Sequence, residues 1–79
     1  MNINKIVRLH EKAGGILELI QLAESRIKGQ EENIKAFGGQ FQGITSTCEK
    51  RIEGHKRAQK RLLKSYDIIL AEIFNATNE

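Results

Sequence analysis

The chain contains no proline, one cysteine and two histidines, and each shortage excludes something. Without proline there is no Pro-rich linker or recognition tail, and nothing of that kind interrupts a long helix. A single thiol, Cys48, leaves no disulfide framework and suits a reducing compartment. His10 and His55 are the only imidazoles, and no carboxylate pair stands four residues from either, so no metal site is expected. No stretch approaches the roughly 18 to 20 apolar residues of a membrane span. The opening MNINKIVRLHEKAGG lacks the apolar block of a secretory signal. The expectation is a cytoplasmic chain with no membrane partner, although export by a leaderless route would leave no such mark.

Seventy-nine residues amount to one domain, 1–79, with a modest core. Chains of this size usually add disulfides, a metal or further subunits. With the first two lacking, a homo-oligomer is the expected remedy.

What the chain does have is an apolar stripe at a strict seven-residue step: Ile6, Ala13, Ile20, Ile27, Ile34, Phe41, Cys48, His55, Leu62, Ile69 and Ala76. That period is the signature of helices packed along a seam. The stripe is cut at mid-chain by Phe37-Gly38-Gly39-Gln40-Phe41-Gln42-Gly43, whose three glycines make poor helix interior. The fold class expected is all-α: an antiparallel two-helix coiled-coil hairpin assembled into a helical-bundle oligomer. The competing architecture is one unbroken helix of about 70 residues, because the heptad phase survives the glycine run.

The first helix is expected over about 3–37, capped by Asn2 or Asn4, with Ile16, Ile20, Ala23, Ile27, Ile34 and Phe37 on its apolar side. Gly14-Gly15 lies inside it, and two adjacent glycines cost about 2 kcal/mol of helix propensity relative to alanine. A break there, leaving a short N-terminal helical segment, is therefore expected. The turn covers about 38–45. Ser46-Thr47-Cys48-Glu49 matches a capping box, in which Ser46 accepts from the Glu49 N–H while Glu49 reaches back. The second helix is thus expected over about 46–75. Its seam is Cys48, Ile52, His55, Gln59, Leu62, Tyr66, Ile69 and Ile73. Beside that seam Leu63, Leu70 and Phe74 form a second stripe, and Leu19 and Leu22 lie off the main stripe of the first helix. One helical partner cannot cover both stripes, so Leu19, Leu22, Leu63, Leu70 and Phe74 are the expected oligomer interface.

The formal charge of +3 is concentrated in the second helix. At 100° per residue Lys50, Arg57, Arg61 and Lys64 fall within a sector of roughly 60°, almost opposite the seam, and Lys56 and Lys60 widen it. Such a row suits a phosphate backbone, an anionic nucleotide or an acidic protein surface. It also suits a merely solvated coiled-coil face, or one that meets Glu18, Glu24, Glu31 and Glu32 of another subunit.

The remaining residues with chemical potential have plainer readings. Cys48 lies near a helix start beside Lys50 and Arg51, which favours a thiolate, but it also occupies the seam as a small hydrophobe. His55 breaks the stripe, where a histidine sets register, senses pH or binds a ligand, or simply hydrogen-bonds at the seam edge. The glycine run has backbone N–H groups for an anion, but no Gly-Lys-Ser/Thr ending and no preceding strand. No nucleophile, base and electrophilic stabiliser share a readable spacing, so no enzyme and no cofactor is expected.

Phe37-Gly38-Gly39, placed between two helices, resembles the Trp-x-Gly turn of a family of small secreted helical hairpins, with phenylalanine for tryptophan. Tyr66 is followed at the fourth position by Leu70 where that family has an acid, and the second helix is more basic than is usual there. In size and style the chain is also similar to small phage-encoded inhibitors of bacterial defence, which are often helical oligomers.

Three functional expectations follow: a non-enzymatic homo-oligomeric binding module that presents Lys50 to Lys64 to nucleic acid or an acidic protein; a coiled-coil adaptor or assembly subunit without an anionic ligand; and a phage-type inhibitor that sequesters a nucleotide near His55.

Overall fold

A computed structural model describes residues 2–41 and 43–79. Two helices, α1 (Ile3–Phe37) and α2 (Ile44–Thr77), pack antiparallel as a hairpin. The Cα envelope measures 59 × 14 × 11 Å, a single layer two helices wide. Its radius of gyration, 17.8 Å, exceeds the roughly 12 Å of a compact domain of this length. Among the described residues no helix is long and apolar enough to cross a membrane.

The seam is continuous along α1. Ile6, Leu9, Ala13, Ile16, Ile20, Ala23, Ile27, Gln30 and Ile34, spaced alternately by three and four, are all buried or half-buried. On α2 the same holds for Cys48, Ile52, His55, Gln59, Leu62, Tyr66, Ile69, Ile73 and Ala76. The best-packed cluster lies at the open end, where Leu9 and Ala13 meet Ile69 and Ala76, flanked by Ile6, Ile16, Tyr66 and Ile73. Toward the turn the seam becomes more polar. Gln30 contributes a buried side-chain carbonyl oxygen without a hydrogen-bond partner there, on a stretch where α2 offers His55 and Gln59.

The expected break at Gly14-Gly15 does not occur, and there is no separate N-terminal segment: α1 runs through both glycines. The reason is tertiary. Ala13 and Ile16 on either side of the pair both pack on the open-end cluster. Burying Leu9, Ala13, Ile16 and Ile20 in one phase is worth several kcal/mol, more than the local propensity loss of about 2 kcal/mol.

The start of α1 is as expected: Asn2 is extended and its Oδ1 accepts from the Lys5 N–H at 3.1 Å, as an N-cap asparagine should. The start of α2 is not. No capping box forms at Ser46; the N-cap is Gly43, three residues earlier and inside the expected turn, with no side-chain cap bond. Ser46 and Glu49 are exposed within the helix. Beginning at Ile44 extends the helix contact by Ile44 and Thr45, both half-buried, and burying the isoleucine is worth more than the typical 1 kcal/mol of a cap. The C-terminal end lies at Thr77, two residues beyond expectation, where the Asn78 N–H donates to the Phe74 carbonyl at 3.2 Å.

Two turn glycines are required by geometry. A Cβ on Gly38 would stand 2.5 Å from the Ile34 carbonyl oxygen and 2.7 Å from Thr45 Oγ1, so glycine here lets the first turn of α2 approach the end of α1. Gly43 has φ +89°, where a Cβ costs roughly 1–2 kcal/mol. Gly43→Ala should lower the free energy of unfolding by that amount, about 1–2 kcal/mol, and Gly43→Asn by less, both read from urea unfolding followed by circular dichroism.

Candidate interaction surfaces

Because α2 buries one stripe, its opposite side is necessarily free. Lys50, Lys56, Arg57, Lys60, Arg61 and Lys64 are all exposed, and the structure divides them into two groups. Arg57, Lys60, Arg61 and Lys64, at steps of three, one and three, line one shallow depression with no acid in it. Lys50 and Lys56 share another with Glu49 and Glu53, so that depression carries both signs of charge. The concentrated positive field is therefore narrower than the sequence suggested and centres on four residues. Among the described residues the only ion pair within 4.0 Å joins Lys5 Nζ to Glu79 Oε1 at 3.7 Å, so none of these four bases is held by a carboxylate. Both members of the Lys5–Glu79 pair are well exposed, and it is worth at most about 1 kcal/mol.

The exposed apolar residues are the second surface. Leu19, Leu22, Leu63, Leu70 and Phe74 are all exposed, and so are Ile3, Val7, Leu17 and Ile68. They do not form one patch. Glu24, Lys28 and Glu31 of α1 line a groove with Lys56 of α2, which identifies the side of the hairpin they share. Stepping by sevens from Glu24 reaches Leu17 and Ile3, from Lys28 reaches Val7, and from Lys56 reaches Leu63 and Leu70; Phe74 stands one turn after Leu70. Lys12 and Ile68 line a groove on the other side, and one heptad from Lys12 stands Leu19, with Leu22 one turn further. Leu19 and Leu22 therefore face away from Leu63, Leu70 and Phe74. Ile3, Val7, Leu17 and Ile68 were not singled out from the sequence, although heptads counted outward from the seam contain them.

Cys48 is buried in the seam, at the floor of an open groove of about 560 Å³ whose walls include Asn33, Phe37, Thr47 and Arg51. His55 is half-buried on the seam and His10 exposed. Among the described residues no three histidine, cysteine, aspartate or glutamate side chains are grouped to hold a metal ion. At the tip, Phe37 and Phe41 are exposed and pack on each other as a tilted pair with centroids 6.4 Å apart. Both carry the expected apolar phase, but the seam ends before them because the chain reverses there. No protein-family model, no curated protein and no solved structure matches the chain.

Proposed function

We propose that the protein is a non-enzymatic helical binding module that self-associates and presents the basic row of α2 to an acidic partner, nucleic acid in the first place. The observation that carries this reading is the acid-free cluster of Arg57, Lys60, Arg61 and Lys64 on the side of α2 away from its seam. Four cations along one helix face follow a run of phosphates and release their counterions on binding. Arg57 and Lys64 lie clear of the exposed apolar lines, whereas Lys60 shares a heptad line with Phe74 and Arg61 one with Ile68.

Binding of a fluorescent duplex, measured by anisotropy, should weaken about a hundredfold between 50 and 200 mM salt if four phosphates are engaged. Arg57→Glu with Arg61→Glu should reduce affinity at least tenfold and lower the salt slope by about two. Affinity that ignores both salt and charge reversal would reject the anionic partner.

A second reading, an adaptor or assembly subunit whose basic row is only solvated, is favoured by the number of large apolar side chains left exposed on both faces. It predicts a protein partner retained by the charge-reversed variant.

A further inference from the structure

The hairpin is a single layer, and each helix has apolar residues that the other does not reach. Its accessible surface, 6085 Å², is over 1,000 Å² more than the roughly 4,900 Å² of a compact monomer of 9.0 kDa. We propose that a second copy of this chain covers the face bearing Ile3, Val7, Leu17, Leu63, Leu70 and Phe74, giving a four-helix bundle. The two-fold axis lies between the layers, parallel to the helices, so that the open ends coincide and α1 of each copy lies over α2 of the other. This deepens the self-association in the functional reading above and rests on it.

Two observations select this occupant and this stacking. The broad side of the Cα envelope, 59 × 14 Å, offers about 800 Å², the area each partner contributes to an interface of standard size.

Polarity along the face is the second. Apart from Asp67, on the heptad line of Phe74, its apolar residues lie in the open half and its charges in the half toward the turn, so a full-length stack brings the apolar halves together only if the open ends coincide. A second copy laid end for end either sets leucines over charges or overlaps the open halves alone.

The Lys5–Glu79 pair sets the level of the two helices, and equal steps inward from it match residues of α1 with residues of α2. The two-fold superposes α1 of one copy on α2 of the other at the same level.

The same count sets Leu70 of one copy level with Gly14 of the other. Nothing in the hairpin lies within 4 Å of a Cβ built on Gly14. That bare stretch of α1 receives the leucine, as small positions receive large ones between packed helices. Arg57, Arg61 and Lys64 stay uncovered, while Lys60, two heptads before Phe74, lies on the covered face, and the bundle carries two basic rows pointing in opposite directions.

The test has two arms. By sedimentation equilibrium the wild-type chain should be a dimer at micromolar concentration. Leu70→Glu with Phe74→Glu should weaken the dimer at least a hundredfold, and Leu19→Glu with Leu22→Glu should leave it intact. All four positions are exposed, so helicity by circular dichroism should be retained in both variants.

In a Cys48→Ala background, chains bearing Gly14→Cys and chains bearing Leu70→Cys are mixed and mildly oxidised. A covalent dimer should form from the mixture and not from either variant alone. A monomeric wild-type chain would overturn this inference and the self-association in the functional reading together. A dimer that survives the Leu70/Phe74 variant, or that dissociates in the Leu19/Leu22 variant, would overturn this face alone. A dimer without the 14-to-70 cross-link would overturn the stacking, and an oligomer larger than two would overturn the closed pair.

Discussion

Replacing Gly15, Gly29 and Gly54 together with alanine should raise the melting temperature by roughly 10–20 °C. All three sit inside helices, and a Cβ built on any of them meets nothing within 4 Å. Each substitution removes conformational freedom from the unfolded chain and restores helix propensity at about 0.5–1 kcal/mol. Gly15 and Gly29 are four turns apart, and the added methyls touch nothing, so the effects should sum to about 2 kcal/mol or more. In a domain of this size 1 kcal/mol moves the midpoint by about 4–8 °C. Calorimetry at fixed protein concentration is the measurement, since self-association makes the midpoint concentration-dependent. A midpoint that stays or falls would mean that these glycines are needed for close approach to something outside the hairpin. Gly14 is left out because the proposed partner helix crosses it.

Ile69→Ala should have the largest opposite effect, a loss of about 2–5 kcal/mol. Ile69 is 4% exposed and central to the open-end cluster, where it faces Leu9 and Ala13 across the seam. Few residues share the load: Leu9, Ala13, Ile20, Ala23, Ile27, Cys48, Ile69 and Ala76 are the buried apolar residues, and three of them are alanines. A chain of this length has about 4–12 kcal/mol of total stability, so one such cavity consumes much of it. Chemical unfolding should show the midpoint shifted far down, or no folded baseline at all. By contrast Ile68→Ala, at an exposed neighbour, should cost under 1 kcal/mol. Equal effects at the two positions would mean that the seam phase is wrong.

The seam was legible because it depends on local periodicity. Residues at alternating steps of three and four lie along one line on a helix whatever surrounds it, and apolar side chains on that line name it. The spacing of Arg57, Lys60, Arg61 and Lys64 was legible for the same reason. The acids beside Lys50 and Lys56 were also readable at Glu49 and Glu53, since neighbours one turn apart on one helix meet without help from the fold. Their weight shows only when the shared depressions separate the six bases into two groups.

Length, the missing proline and the heptad by themselves determined helices and which line of each turns inward, and the central glycines favoured a reversal between Phe37 and Ile44 over one unbroken helix. Only the tertiary structure decided three further things. Packing of Ala13 and Ile16 on Ile69 and its neighbours carried α1 through Gly14-Gly15, because burial across the gap outweighs a local cost of about 2 kcal/mol. Burial of Ile44 and Thr45 moved the start of α2 from Ser46 back to Gly43, for the same physical reason. The rotation of the two helices about their axes, set by the whole length of the seam, separated Leu19 and Leu22 from Leu63, Leu70 and Phe74. A helical periodicity records angles about one axis, whereas a face shared by two helices exists only once their relative level and rotation are set.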